Sequence, residues 1–331
     1  MHSIIIFSGV LLGFFAGVLG GSLSLGQEIP ALFGVFLDVV TPVFLLVLIG
    51  YFIGPRLQLE ARTLSRISYF VFVPAFAFNI IGTAQVDLSL MLRMVGATIG
   101  LQLGVALLGW LGGKVLRRSP EQTAAFIMIA VFGNVGNFGL SLIEFRFGPE
   151  SRLPATVFFL AIMMSSFIIC VAVANWTRSG GLSATLEVFK TPALVALVPA
   201  LLFQVLDVPV PLFAQRMTGL LAQAMVPVML VTLGVQLSEV RQIEIDFNVW
   251  VATGLRLLGG PLIAFLLMPL FGLEGLESAS GILQAAMPAA VLVSIIALEY
   301  NLMPSFVTTT VLVSTLMSVI TLTVLLSVVQ A

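Results

Sequence analysis

Gly133-Asn134-Val135-Gly136-Asn137-Phe138-Gly139 interrupts an apolar run that extends from about residue 121 to 145. A run of that length is enough to cross a bilayer, since the hydrocarbon core takes roughly 20 residues of helix. Asn134, Gly136, Asn137 and Gly139 are out of place in its middle. Unwound backbone in hydrocarbon is costly for every unsatisfied group unless it is buried in protein or lines a cavity. The segment therefore predicts a helix broken near the bilayer centre. A half-helix that starts after such a break aims free N–H groups and the positive end of its dipole at the gap, which suits a carboxylate. Asn134 and Asn137 add donors without fixed charge, and Ser141 follows within one turn.

The same punctuation returns half a chain later. Val73-Pro74-Ala75-Phe76 is matched by Val226-Pro227-Val228-Met229, an offset of 153, and Thr41-Pro42 by Thr191-Pro192, an offset of 150. Carried forward from the Asn/Gly cluster, the offset lands on Ala286-Met287-Pro288-Ala289, inside another apolar run. Pro288 would break that helix by other means, because proline lacks an N–H and its ring clashes with the carbonyl four residues back. The chain reads as a duplication with one interrupted helix per half. Such a pair in corresponding positions points to the binding site of a secondary transporter.

Composition agrees with the bilayer. Hydrophobic residues make up 60% of the chain and charged ones 9%, with a mean hydropathy of +1.18, which leaves too little polar surface for a soluble domain. Apolar runs give spans at about 31–53, 67–83, 91–113, 121–145 and 153–176, then 191–207, 213–237, 248–271, 279–299 and 304–329. Five spans per half is an odd number, so the second copy must enter from the opposite side. The expected fold is an all-α, multi-pass integral membrane protein of the cell membrane. Its two inverted five-helix repeats occupy 31–176 and 191–331, joined by a cytoplasmic linker at 177–190. Basic residues support that orientation. If the loop after the first span is inside, Arg56, Arg62, Arg66, Lys114, Arg117, Arg118, Arg178, Lys190 and Arg241 lie in the cytoplasm, and only Arg93, Arg146, Arg152 and Arg216 lie outside. Residues 1–26 predict one further apolar helix outside the repeat. Ile4 to Leu25 has no basic residue before it but His2, which argues against a cleavable signal, and Gly9, Gly13, Gly17 and Gly21 form a smooth stripe for close helix packing. The stripe leaves open whether it packs on its own bundle or across a homodimer.

Several function classes lack their parts. His2 is the only histidine, so no Ser-His pair can form around Ser141, and an enzyme is not expected. There is no His/Cys cluster for a metal and no phosphate-binding glycine loop, so no cofactor is expected. A net charge of −1 gives no basic face for nucleic acid. The single Cys170 excludes an internal disulfide and reads as packing.

Other polar groups flank the breaks. Asn79 follows Pro74 by five residues, as Thr232 follows Pro227, which places both as candidates to face a cavity. Gln284 lies one turn before Pro288, and Met287 adjoins it. For each, a bond between helices is the competing role. Arg256 lies inside a span, where a charge is functional by default, and it either attracts an anion or snorkels to the interface.

Asn134-Val-Gly-Asn-Phe-Gly-Leu140, the AAMPAAV of 285–291 followed by the STLMSVITL of 314–322, and the VPVMLVTLGVQL of 226–237 together resemble the auxin efflux carrier family. That family includes plant carriers and many bacterial organic-acid transporters. The likeness runs from about residue 31 to the end. It implies a fold related to bile-acid symporters. The first two helices of each repeat would form a scaffold, and the last three a mobile bundle in which the broken fourth helices cross. A small organic anion would bind beside that crossing. Many members carry proline where this chain has Ser141. The function expected is an alternating-access carrier of a small carboxylate, driven by the membrane potential or coupled to protons or sodium. An anion channel would need a continuous polar stripe along several helices, and a membrane ligand sensor an output segment.

Overall fold

Proline and glycine set the joints of the helices. The computed structural model describes residues 34, 36–83, 87–178, 192–206, 208–239 and 243–330. The span expected over 1–26 and the linker expected over 177–190, apart from Thr177 and Arg178, lie outside them. Among the described residues every regular element is helical, apart from one isolated antiparallel β-bridge. In chain order the helices are α1 Phe36–Arg56, α2 Ala61–Thr83, α3 Leu88–Val115, α4 Pro120–Val131, α5 135–147 and α6 Arg152–Arg178. They continue as α7 Pro192–Val205, α8 Leu212–Ser238, α9 Phe247–Leu270, α10 Gly275–Ala285, α11 Val291–Glu299 and α12 Pro304–Val328. Seven of them, α1, α2, α3, α6, α8, α9 and α12, are long and apolar enough to cross a membrane. Of the other expected spans, 121–145 and 279–299 are each divided into two helices, and 191–207 folds as the 14-residue α7.

A widened π turn precedes three of the prolines. Phe36–Val40, Ser68–Phe72 and Leu255–Gly259 are π-helical, and Pro42, Pro74 and Pro261 each stand two residues beyond the turn. The extra residue in the turn accommodates the missing N–H and the clash of the ring with the preceding carbonyl. Val135–Gly139 is a fourth such turn, and the residue two beyond it is Ser141. Its Oγ donates to the Asn137 carbonyl at 3.0 Å, four residues back, the same carbonyl that a proline would free.

Helix α2 starts at Ala61, six residues before the expected 67, and α10 starts at Gly275 instead of 279. Both extra turns carry charge, Arg62 and Arg66 in one and Glu277 in the other, so they fall below an apolar threshold yet continue the helix at the interface. Ser119 caps α4 in a reciprocal box with Gln122, and Asp87 and Asp246 cap α3 and α9.

Close packing ties early helices to late ones. Helix α1 lies along α8, and α2 along α7 and α8. Gly50 and Gly234 face each other where α1 crosses α8, and a Cβ at either would overlap the other helix's backbone carbonyl, at Val231 or Val47. Small residues at such a contact let backbones meet, which is the main source of helix association where lipid removes any hydrophobic drive. Helix α3 packs on α4, α6 and α9, while α10 packs on α6 and α9 and α4 on α6, so the first halves of both divided segments lie among α3, α6 and α9.

Candidate functional site

The two divided segments meet. Helix α4 ends at Val131 and α10 at Ala285, and the unwound residues after each run antiparallel, bridging Gly133 to Ala289. Asn134 N–H donates to the Pro288 carbonyl at 2.7 Å, and Ala290 N–H donates to the Phe132 carbonyl at 2.9 Å. Ala289 N–H is taken by Ser314 Oγ on α12 at 3.2 Å. Each break thus supplies backbone partners for the other, so irregular chain persists inside an apolar protein.

The negative helix ends are covered by side chains. Arg256, 2% exposed, donates from Nε to the Met287 carbonyl at 2.8 Å, from Nη1 to Ala130 at 2.5 Å and from Nη2 to Ala285 at 3.2 Å. One guanidinium therefore caps both α4 and α10. Gln102 Nε2 and Ser166 Oγ donate to the Val131 carbonyl at 3.3 and 2.8 Å. Gly133 is required here, because a Cβ would overlap the Arg256 guanidinium.

The positive ends are left open. Helices α5 and α11 begin after Asn134 and Ala290, and neither has a side-chain cap. Both starts line a cavity of about 720 Å³, to which the crossing contributes Gly133, Asn134, Gly136, Asn137 and Val291. Opposite stand Ser65 and Ser68 of α2 and Thr232 and Gln236 of α8, while Phe159, Met163, Phe167 and Met229 form an apolar wall. Arg62, Arg66 and Glu239 stand at the end that the basic-residue count assigns to the cytoplasm. Three lining groups are buried without a hydrogen-bond partner, Asn134 Nδ2 (residue 5% exposed), Ser68 Oγ (4%) and Gln236 Oε1. A buried donor that is neither bonded to protein nor removed by substitution calls for a ligand or water. On the far side of the crossing the protein is closed, with Ser141, Leu142, Gln284 and Met287 all at most 1% exposed.

The structure divides the residues singled out in the sequence into three places. Asn134, Gly136, Asn137 and Thr232 line the cavity. Gly139, Ser141, Gln284, Met287 and Pro288 build the crossing behind it: Gln284 Nε2 donates to the Ala155 carbonyl, and a Cβ on Gly139 would overlap Gln284 Oε1. Asn79 is elsewhere, with its Nδ2 3.3 Å from Thr218 Oγ1 and 3.5 Å from the Gln215 carbonyl, where it joins α2 to α8. Arg256 is at the crossing and bonds only carbonyls. Sequence reasoning did not single out Ser68, Ser314, Gln102 with Ser166, or the cavity position of Arg62 and Arg66. The four-residue spacing of Arg62 and Arg66 is a helical signal that could have placed the latter pair on one face. Among the described residues no group of three or more His, Cys, Asp or Glu could hold a metal ion.

The arrangement can hold a carboxylate by side-chain amide, hydroxyl and helix N–H donors, in a chamber open to one side. Known proteins resemble most of the chain. The model of a family described as membrane transport protein matches residues 35–326. The chain is 24% identical over 298 residues to an uncharacterized transporter of Methanocaldococcus jannaschii, covering 86% of this chain and 96% of that one. It is 26% identical over 291 residues to an uncharacterized transporter of Methanothermobacter thermautotrophicus, covering 86% and 95%. A Rhizobium meliloti protein named "Putative malonate transporter" is 24% identical over 306 residues, covering 88% and 95%.

Proposed function

The chain belongs to the membrane transport protein family, and from that premise we propose that it is a secondary carrier of a small organic carboxylate. The observation that carries the reading is the unpartnered Asn134 Nδ2 beside two uncapped helix starts, at the closed end of a one-sided cavity. Asn134, Asn137 and Ser68 bind the carboxylate, Thr232, whose Oγ1 donates to the Val228 carbonyl at 2.7 Å, shapes the wall beside them, and Arg62 and Arg66 draw anions to the mouth. Gly136 gives room at the helix start, while Gly139, Ser141, Gln284, Met287 and Pro288 hold the crossing in shape. Asn79 serves the contact between α2 and α8. A malonate-named relative favours a short carboxylate as cargo.

Residues 31–176 and 191–331 are two inverted five-helix repeats in this reading. The 150 to 153 residue offset and the pairing of the two breaks with each other support it. Helices α1, α2, α7 and α8 form the scaffold, and the other helices the bundle that moves against it, carrying the crossing from one side to the other. A cavity on one side and dense packing on the other fit such a carrier better than a channel, whose polar lining would continue through. The membrane potential suffices as a drive, since one charge crossing 100 mV is worth about 2.3 kcal/mol.

The test is transport in proteoliposomes of the purified full chain, against a panel of mono- and dicarboxylates, with voltage, pH and sodium gradients imposed one at a time. Saturable movement of a carboxylate that competes with its analogues is expected. Ion currents that do not saturate would point to a channel, and no movement of any carboxylate would overturn the reading.

A further inference from the structure

Arg256 carries a charge that no carboxylate balances. Among the described residues the only ion pair is Arg152 with Glu144, and the three partners of Arg256 are carbonyls, Ala130 and Ala285 in the last turns of α4 and α10 and Met287 just beyond α10. Each of those helix ends carries roughly half a negative elementary charge, so a single guanidinium cancels about their sum. The matching positive ends, at the starts of α5 and α11, have no side-chain cap and open onto the cavity. With one pair of ends cancelled and the other exposed, about one positive charge is left at the closed end of the cavity. Asn134 Nδ2, buried and unpartnered, points to a ligand at the same place.

We infer that Arg256 is the residue that sets the charge preference of the binding site, by neutralising the crossing's negative ends without touching the cargo. The inference rests on the carboxylate reading above. Arg256 acts through α4 and α10 and is thus a positioning residue. Gly133 belongs to the same device, since only a residue without Cβ leaves the guanidinium its place. Without the charge on Arg256, the C-terminal ends offset the N-terminal ones, and the cavity ceases to prefer an anion over a neutral molecule of the same shape.

The experiment measures labelled malonate uptake into proteoliposomes, and its inhibition by unlabelled malonate and by malonamide, its neutral diamide. Wild type, Arg256→Gln and Arg256→Lys are compared, with thermal unfolding of each purified variant as the check on assembly. Gln keeps donors for the carbonyls but removes the charge, and Lys keeps the charge with fewer donors. The expected result is that wild type and Arg256→Lys prefer malonate to malonamide, whereas Arg256→Gln loses about 10-fold or more of that preference. Gly133→Ala, which displaces the guanidinium, is expected to reduce it as well and decides the matter if Arg256→Gln does not assemble. Arg256→Gln transporting slowly with its preference intact would overturn the inference, because that is the signature of a purely structural brace. Wild type with no preference for malonate over malonamide would instead overturn the carboxylate reading itself, so the two failures are told apart.

Discussion

The two breaks reach one geometry by different chemistry. At 132–134 the chain unwinds around Gly133 and Asn134 and resumes through a π turn, whereas at 286–290 it unwinds around Pro288 and resumes directly as α-helix. Only the first brings polar side chains to the cavity; the second contributes Ala290, Val291, Leu292 and Ile295. Backbone geometry is shared between the breaks, but recognition is not. In the proposed reading the Asn/Gly break selects cargo, while the proline break supplies a helix end and a carbonyl partner.

If recognition is so divided, substitution at Asn134 should do the most damage. Asn134→Ala is expected to lower carboxylate uptake by about 100-fold, the scale of one lost donor to a charged group. Its unfolding temperature should stay near wild type, because Nδ2 has no protein partner to lose. Uptake assays paired with thermal unfolding check this, and a large drop in stability with unchanged uptake would invert the assignment. Pro288→Ala at the second break should cost about 10-fold in uptake, as the restored N–H lets α10 extend and weakens the pairing with Asn134.

Gly139→Ala probes the contact between the breaks, since its Cβ would overlap Gln284 Oε1. A destabilisation of about 1–3 kcal/mol is expected, and adding Gln284→Ala should recover most of it. Denaturation of the two single variants and the double variant gives the coupling. Arg62→Gln should raise KM a few-fold, leave kcat unchanged and flatten the dependence of uptake on ionic strength, as a steering charge at the mouth would. The smallest effect belongs to Ser141→Pro. Ser141 already stands two residues past a π turn, where Pro42, Pro74 and Pro261 stand elsewhere, so uptake within about 2-fold of wild type is expected.

Much of this was legible in the sequence. Gly and Pro inside apolar runs located both breaks, because only those residues and Asn make unwound backbone in a membrane helix tolerable. The boundaries at Ala61 and Gly275 were less legible, since an apolar threshold cannot see a charged turn at the interface. Asn79 and Thr232 read alike in sequence yet sit apart, one beside Thr218 and the other on the cavity. If the halves are inverted repeats, as proposed, equivalent positions lie at opposite depths and would not share a one-sided chamber. Arg256 read in sequence as either an anion-attracting or a snorkelling group, and nothing in its neighbours along the chain indicated three carbonyls from residues 130, 285 and 287. Ser68 carried no signal, being a single hydroxyl among many in the helices, and Ser314 was legible only as part of the 314–322 stretch, not as a partner of the break.

If cargo binds at the crossing, against the Asn/Gly break, position 137 must become inaccessible whenever transport is saturated. Maleimide labelling of a single cysteine there, Asn137→Cys, reads this in protein whose buried Cys170 is replaced by alanine. The transported carboxylate, at about ten times its KM, is expected to slow labelling roughly 10-fold by occupying the site, in line with simple saturation. A labelling rate unchanged at concentrations that saturate transport would place the cargo elsewhere and contradict binding at the crossing.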